Sequence, residues 1–150
     1  MIRKADRKDL SVCSKLICQV ISEIEARHYS LGIIKGWQEY NSPSNLENEA
    51  NSAEFIVYEE NGIIFGVGAI EGAHIKKVYV SPAYQGRGIG RLLVENLEQI
   101  AKKNGFEEYE LNSTVNALNF YKRLGYQEQG PITIEKNGIS VTFTRMTKRV

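Results

Sequence analysis

A strand pattern that breaks into three glycines at alternate positions and then becomes an amphipathic helix is the feature that most restricts what this chain can fold into. The segment reads Val78-Tyr79-Val80-Ser81-Pro82-Ala83-Tyr84-Gln85-Gly86-Arg87-Gly88-Ile89-Gly90. The alternating run from His74 to Val80 predicts a strand, and Ser81-Pro82 closes it because proline cannot donate to a sheet ladder. From Gly88 the spacing predicts a helix, with Ile89, Leu92, Leu93, Leu97, Ile100 and Ala101 on one side and Asn104-Gly105 as its stop. Three glycines at the mouth of a helix weaken it, so they need another reason. They leave successive N–H groups at a helix N-terminus open to an anion, and Arg87 and Arg91 add charged forks. The arrangement fits a phosphate or pyrophosphate.

Two commoner phosphate loops do not fit. The dinucleotide fingerprint requires a glycine three positions after its second one, where this chain has Arg91, and no βαβ unit with a ribose-binding acid begins the sequence. The P-loop requires Gly-Lys-Ser/Thr, which is absent.

Upstream, Ile2-Arg3-Lys4 predicts a short strand. Asp6 and Asp9 stand three apart as a capping pair before a helix with the apolar stripe Leu10, Cys13, Leu16, Ile17, Val20, Ile21 and Ile24. Tyr29, Ile33, Ile34, Trp37 and Tyr40 mark a second helix stopped by Asn41-Ser42-Pro43-Ser44-Asn45, and Ser44 with Glu47 is expected to cap a short third one. Glu54–Glu59 and Ile63–Ile70 form a predicted hairpin around Asn61-Gly62, and with the strand ending at Val80 they give three antiparallel strands in succession. Downstream the pattern predicts a strand from Phe106 to Asn112, a helix of about Val115 to Leu124 stopped by Gly125, and two strands around Lys136-Asn137-Gly138. Lys76-Lys77 is expected on a solvated strand face, and Lys102-Lys103 at the favourable end of a helix dipole.

The 150 residues predict a single domain, 1–150, large enough to bury roughly 68–70% of the surface of its unfolded chain. A net charge of +1 argues against a nucleic-acid partner, whose affinity is built from clustered Lys and Arg. The absence of a long apolar run argues against a membrane-spanning segment, and the polar start Met1-Ile2-Arg3-Lys4-Ala5-Asp6 gives a cytoplasmic expectation. Cys13 and Cys18 point to different helix faces and are expected as core or boundary thiols rather than a disulfide. His28 and His74 are far apart, and no Cys/His spacing suggests a metal.

Two spaced motifs carry a family resemblance. Gln85-Gly86-Arg87-Gly88-Ile89-Gly90 follows the strand end Val78-x-Val80-x-Pro82, and matches the pattern Gln/Arg-x-x-Gly-x-Gly/Ala. Ala117-Leu118-Asn119-Phe120-Tyr121-Lys122-Arg123-Leu124-Gly125-Tyr126 matches Ala-x-x-Phe-Tyr-x-x-x-Gly-Phe/Tyr. On these residues the chain resembles the GNAT superfamily of acyl-CoA-dependent N-acetyltransferases, over nearly its whole length. The resemblance implies an α/β (α+β) fold with a mixed, mostly antiparallel central sheet of about six to seven strands, splayed into a V and flanked by helices on both faces.

It also implies acetyl-CoA as acyl donor and cosubstrate, no metal, and an amine acceptor that is a small molecule or a peptide or protein amine. Val78, Tyr79 and Val80 would offer backbone groups to the pantetheine arm, and Gln85, Gly86, Arg87, Gly88, Ile89, Gly90 and Arg91 would hold the pyrophosphate. The asparagine common seven positions before the family's tyrosine is Thr114 here, so Asn112 and Asn116 become the cofactor-contact candidates, with Phe120 beside them. Tyr121 falls on the family's proton donor. For a base the candidates are His74, at the place where relatives carry a glutamate, and Glu71; an imidazole titrating near 6.5 suits the work. Trp37, Tyr40, Tyr29 and His28 would overhang an acceptor site, and family habit implies a homodimer through the last strands. A CoA-binding sensor without catalysis and a transferase of longer acyl groups would share these motifs.

Overall fold

The computed structural model describes residues 1–136 and 138–150, so Asn137 of the last predicted turn lies outside the described residues. The strands are β1 (Ile2–Lys4), β2 (Glu54–Glu60), β3 (Ile63–Glu71), β4 (His74–Val80), β5 (Glu108–Ser113), β6 (Gln127–Lys136) and β7 (Ile139–Arg149). The helices are α1 (Leu10–Glu23), α2 (Leu31–Tyr40), α3 (Pro43–Glu49), α4 (Ile89–Lys103) and α5 (Leu118–Arg123). All seven strands join one sheet in the order β1-β2-β3-β4-β5-β7-β6. Every pairing is antiparallel except β4 with β5. That exception shapes the molecule.

The β2–β3 hairpin follows directly from its turn residues. Asn61 and Gly62 sit at φ 52° and 78°, the left-handed pair that matches the twist of two antiparallel strands. Successive side chains of β2 then point to opposite layers. Phe55 and Val57 join Val67 and Ala69 of β3 against Leu10, Cys13, Leu16, Ile17, Val20 and Ile21 of α1. Ile56 joins Ile70 and Ile75 against Ile89, Leu93, Val94, Leu97 and Ala101 of α4. Gly66 and Gly68 of β3 allow that second approach: a Cβ on either would lie 3.0 Å from a leucine methyl of α4, Leu93 or Leu97.

The structure corrects several expectations. On α4, Leu92 is exposed, whereas Val94 is buried and Glu98 nearly so. The contact face runs along Gly90, Leu93, Val94, Leu97 and Ala101, and Leu92 is turned off it. The Glu98 carboxylate tolerates burial because it accepts from the Tyr126 hydroxyl at 2.7 Å and pairs with the Lys148 ammonium at 3.1 Å. Ser42 rather than Ser44 caps α3: its Oγ accepts from the Asn45 N–H at 3.3 Å, and Pro43 occupies the first helical position, where a missing donor does no harm. Glu47, expected to help Ser44 cap that helix, instead reaches Arg7 at 3.4 Å. The predicted Val115–Leu124 helix begins as a tighter 3-10 turn over Val115–Ala117 before α5.

The largest departure is in β4. Lys77 has φ 60°, and the pairing with β3 slips between Tyr79 opposite Val67 and Lys76 opposite Ala69. This is a bulge with its extra residue on β4. It turns both lysines under α3 instead of into solvent. The Lys77 side chain is only 7% exposed, with its ammonium 3.0 Å from Glu49 and 2.7 Å from the Asn41 side-chain oxygen, while Lys76 meets Glu49 at 3.3 Å and Glu71 at 3.1 Å. Burial alone would drive the Lys77 ammonium toward its neutral form, and Glu49 counters this. Cys13 is buried and Cys18 partly so, both as free thiols, and burial pushes the Cys13 thiol up to about 12.

Candidate active site

The parallel pairing of β4 and β5 consists of His74 opposite Glu110 and Ile75 opposite Leu111. Beyond these residues β4 continues to Val80 and β5 to Ser113 without pairing, so the two strands diverge. A cleft of about 660 Å³ opens between them and reaches from the glycine loop to the underside of α2. Unpaired peptide groups line such a wedge and need partners.

The register decides which groups those are. The Ser81 N–H donates to the Phe65 carbonyl at 2.8 Å, which makes Val80 and Gly66 a pair that is not hydrogen-bonded across β3–β4. The N–H and C=O of Val80 therefore face the cleft, and those of Tyr79 face β3. The Gln85 side-chain amide takes the Val80 carbonyl at 3.1 Å, which tethers the loop to the strand and leaves the Val80 N–H aimed into the wedge. Gly86 and Gly88 have φ 79° and 83°, a conformation that disfavours any side chain, and Gly88 caps α4. Gly90 has a packing reason instead: a Cβ there would lie 3.2 Å from the Phe120 ring.

Among the predicted cofactor contacts, Val78, Tyr79, Val80, Gln85, Gly86, Gly88, Ile89, Gly90, Arg91, Asn112, Asn116 and Phe120 line the cleft. Arg87 does not; its guanidinium lies over the Tyr84 ring, 4.6 Å from the centroid. Arg91 borders the cleft but is bonded to Glu95 at 2.6 Å, on the exposed side of α4. The start of α4 thus presents backbone N–H groups to the cleft, while the guanidinium groups of Arg87 and Arg91 are engaged by Tyr84 and Glu95.

A family model described as "Acetyltransferase (GNAT) domain" matches residues 20–150. The chain belongs to the GNAT acetyltransferase family. An uncharacterized N-acetyltransferase of Methanocaldococcus jannaschii is 42% identical over 83 residues, 53% of this chain and 33% of that protein. The matched segments span 66%, 33% and 37% of the lengths of three curated relatives. A GCN5-related N-acetyltransferase from Rhodopseudomonas palustris has a TM-score of 0.93 at 24% identity, covering 100% of this chain and 95% of its own. The PaiA N-acetyltransferase from Thermoplasma acidophilum, solved in complex with coenzyme A, has a TM-score of 0.83 at 22% identity, covering 100% and 98%. At these identities the likeness carries the fold, and the GNAT sheet, V and flanking helices are those described above.

In this GNAT domain Tyr121 projects from α5 into the cleft, is 9% exposed, and packs edge-on against Phe120 and Tyr126. Burial first, and the nearby Glu25 charge second, raise its proton affinity above that of an ordinary phenol. His74 also lines the cleft, at the closed end of the V. Its Nδ1 lies 3.3 Å from Glu110, whose other oxygen accepts from Arg145 at 2.9 Å. Arg145 holds the Glu110 carboxyl below the usual range, so a charged carboxylate orients the imidazole and leaves Nε2 free. Glu71 ends β3, pairs with Lys76 and takes no part in the cleft wall.

Tyr29, Trp37 and Phe143 form an aromatic cluster over the cleft, with Tyr29 and Trp37 edge-on at 5.5 Å and Trp37 and Phe143 at 5.8 Å. Trp37, Phe143 and Tyr40 border the open space itself. His28 lies outside its walls. Two residues of this neighbourhood carried no sequence signal. Glu110 sits in an ordinary alternating strand, and Glu25 follows the last apolar residue of the α1 stripe, among Glu23, Arg27 and His28, where acids read as a solvated helix end. Glu25 is in fact 5% exposed and borders the cleft. Among the described residues no cluster of His, Cys, Asp or Glu is placed to hold a metal ion, and no helix is long and apolar enough to cross a membrane.

Proposed function

We propose that residues 1–150 act as one N-acetyltransferase unit that moves the acetyl group of acetyl-CoA to a primary amine by direct attack, without an acyl-enzyme. The observation that carries this reading is the wedge itself: the free Val80 N–H and the N-terminus of α4 open into the same space as Tyr121. A pantetheine arm supplies amides that can occupy the unpaired edge of β4 as a further strand would, while its pyrophosphate meets the α4 N–H groups. The coenzyme A found with the similarly folded PaiA protein supports that ligand.

The chemistry needs a neutral amine, a donor for the carbonyl oxygen as it gains charge, and a proton for the leaving thiolate. An alkylamine with a pKa near 10.4 arrives as its ammonium at neutral pH. His74, held by Glu110, accepts a proton from it through water. The nitrogen attacks the thioester carbon, the Val80 N–H donates to the oxygen, and the carbon–sulfur bond breaks. Tyr121, kept protonated by burial, donates to the sulfur as its charge develops, and the proton that the nitrogen sheds on becoming an amide restores the phenol. An assay of acetyl-CoA against a panel of small amines and peptide N-termini, read as released thiol, tests the reading. Release with at least one acceptor is expected, and none across the panel sinks it.

A further inference from the structure

One carboxylate of the cleft wall has an oxygen with no hydrogen-bond partner among the described residues. Of the basic side chains that line the cleft, Lys76 and Lys77 are taken by Glu49 and Arg91 by Glu95, and Arg123 is exposed to solvent. Glu25 is the one carboxylate among the described residues that line the cleft. Its Oε1 accepts from the Asn116 side-chain amide at 3.3 Å, but its Oε2 is buried with no hydrogen-bond partner. A buried carboxylate oxygen left unbonded is unfavourable by an amount that few proteins tolerate without a use.

The surroundings indicate what would satisfy it. Trp37, Tyr40 and Phe143 present aromatic surface to the same open space, and Tyr79 and Tyr121 lie close enough that the Glu25 charge raises their proton affinities. Tyr40 already holds the Lys77 and Lys136 ammonium groups over its ring, but a carboxylate in a cleft that Trp37 and Phe143 also line suits a positive head on an aliphatic stem, because the rings attract cations and cover alkyl groups. An acceptor bearing its own carboxylate near the amine would instead meet like charge.

We propose that Glu25 is the acceptor-binding carboxylate of this enzyme, pairing through Oε2 with the ammonium of an aliphatic amine and selecting against amines that carry a nearby acid. This rests on the acetyltransferase reading, yet a binding measurement tests it without turnover. The protein is saturated with coenzyme A, which has no acetyl group to transfer, and titrated calorimetrically with n-butylamine and with 4-aminobutyrate. Glu25→Gln keeps the acceptor for Asn116 and removes the charge. The parent is expected to bind n-butylamine at least tenfold more tightly than 4-aminobutyrate, and Glu25→Gln to lose at least tenfold in n-butylamine affinity and most of that discrimination. Coenzyme A affinity is expected to change less than twofold, and the unfolding temperature not to fall.

Equal n-butylamine affinity in parent and variant, or a parent that binds neither amine, overturns the proposal. A variant that unfolds at lower temperature and loses coenzyme A affinity assigns Glu25 a structural role and overturns it equally. Thiol release from acetyl-CoA with unaltered amine binding in the variant would refute Glu25 alone, whereas Glu25-dependent binding without any thiol release would refute the transferase reading alone.

Discussion

At the scale of single residues, the cleft places two buried ionisable side chains close together and shifts both toward their protonated forms. Tyr121→Phe removes a hydroxyl and little volume, so the ring contacts with Phe120 and Tyr126 persist. General-acid contributions amount to roughly 10²–10⁴ in rate. Turnover of acetyl-CoA with any accepted amine should fall at least about 100-fold, with KM for acetyl-CoA unchanged within twofold; unchanged turnover would remove Tyr121 from the mechanism. Glu25 makes a separate prediction about stability. Burial raises its proton affinity, while Asn116 and the His28 charge oppose that only in part. An acid whose folded pKa lies above its unfolded value binds more protons when folded, so it favours folding below the unfolded value and loses that benefit as pH rises through the folded one. Glu25→Gln removes the dependence. Urea unfolding should therefore show the variant gaining on the parent as pH rises above the ordinary glutamate range, and a constant difference would mean that Glu25 is solvated in the free protein.

At the scale of elements, the legible and illegible parts of the fold separate by whether the signal is local. Asn61-Gly62 fixes its hairpin because those two residues reach the turn's dihedrals, and the α1 stripe survives because its members from Leu10 to Ile21 all enter one buried cluster with Phe55, Val57, Val67 and Ala69, with Ile24 packed at its margin. The glycine loop was legible for the same reason. The β4 bulge was not: nothing in Lys76-Lys77-Val78 favours a positive φ, and the conformation is held by Glu49 and Asn41 from distant α3 and the α2–α3 link. Glu25 was hidden likewise, since only the folded V brings Asn116 and Tyr121 beside it. Gly68 is a further case, unremarkable in a strand until α4 is laid across it. Gly68→Leu would push a side chain into Leu97, already 3.0 Å from the position of an added Cβ. Overpacking of this kind costs about 1–3 kcal/mol, on the order of 5 °C in unfolding temperature for a chain of this length. Thermal denaturation should register that loss, and a variant as stable as the parent would show that α4 can shift on the sheet.

At the scale of the whole molecule, the sheet is two antiparallel half-sheets, β1 to β4 and β5 to β7, joined by a parallel seam two residue pairs long. The seam is reinforced by side chains around it, His74 to Glu110 across the strands, and by α4 leucines packed beneath both halves. Most of β4's far edge stays unpaired toward β5, and this edge is where the cosubstrate is proposed to lie. A ligand that bonds to β4 and to the α4 N-terminus while packing against Phe120 and Asn112 of the other half would tie the two halves together. Because it binds only the folded state, acetyl-CoA at 100 times its dissociation constant should add about 2.7 kcal/mol to stability, a rise of roughly 5–10 °C. Gly88→Glu would place a side chain at φ 83° and a negative charge where the pyrophosphate is expected. Thermal unfolding of both proteins with and without acetyl-CoA distinguishes the loss of binding from the backbone strain: strain lowers the variant's own midpoint, whereas loss of the anion site abolishes the shift on adding acetyl-CoA. An equal shift in both proteins would locate the pyrophosphate away from the helix mouth and leave Gly86 and Gly88 without their ligand.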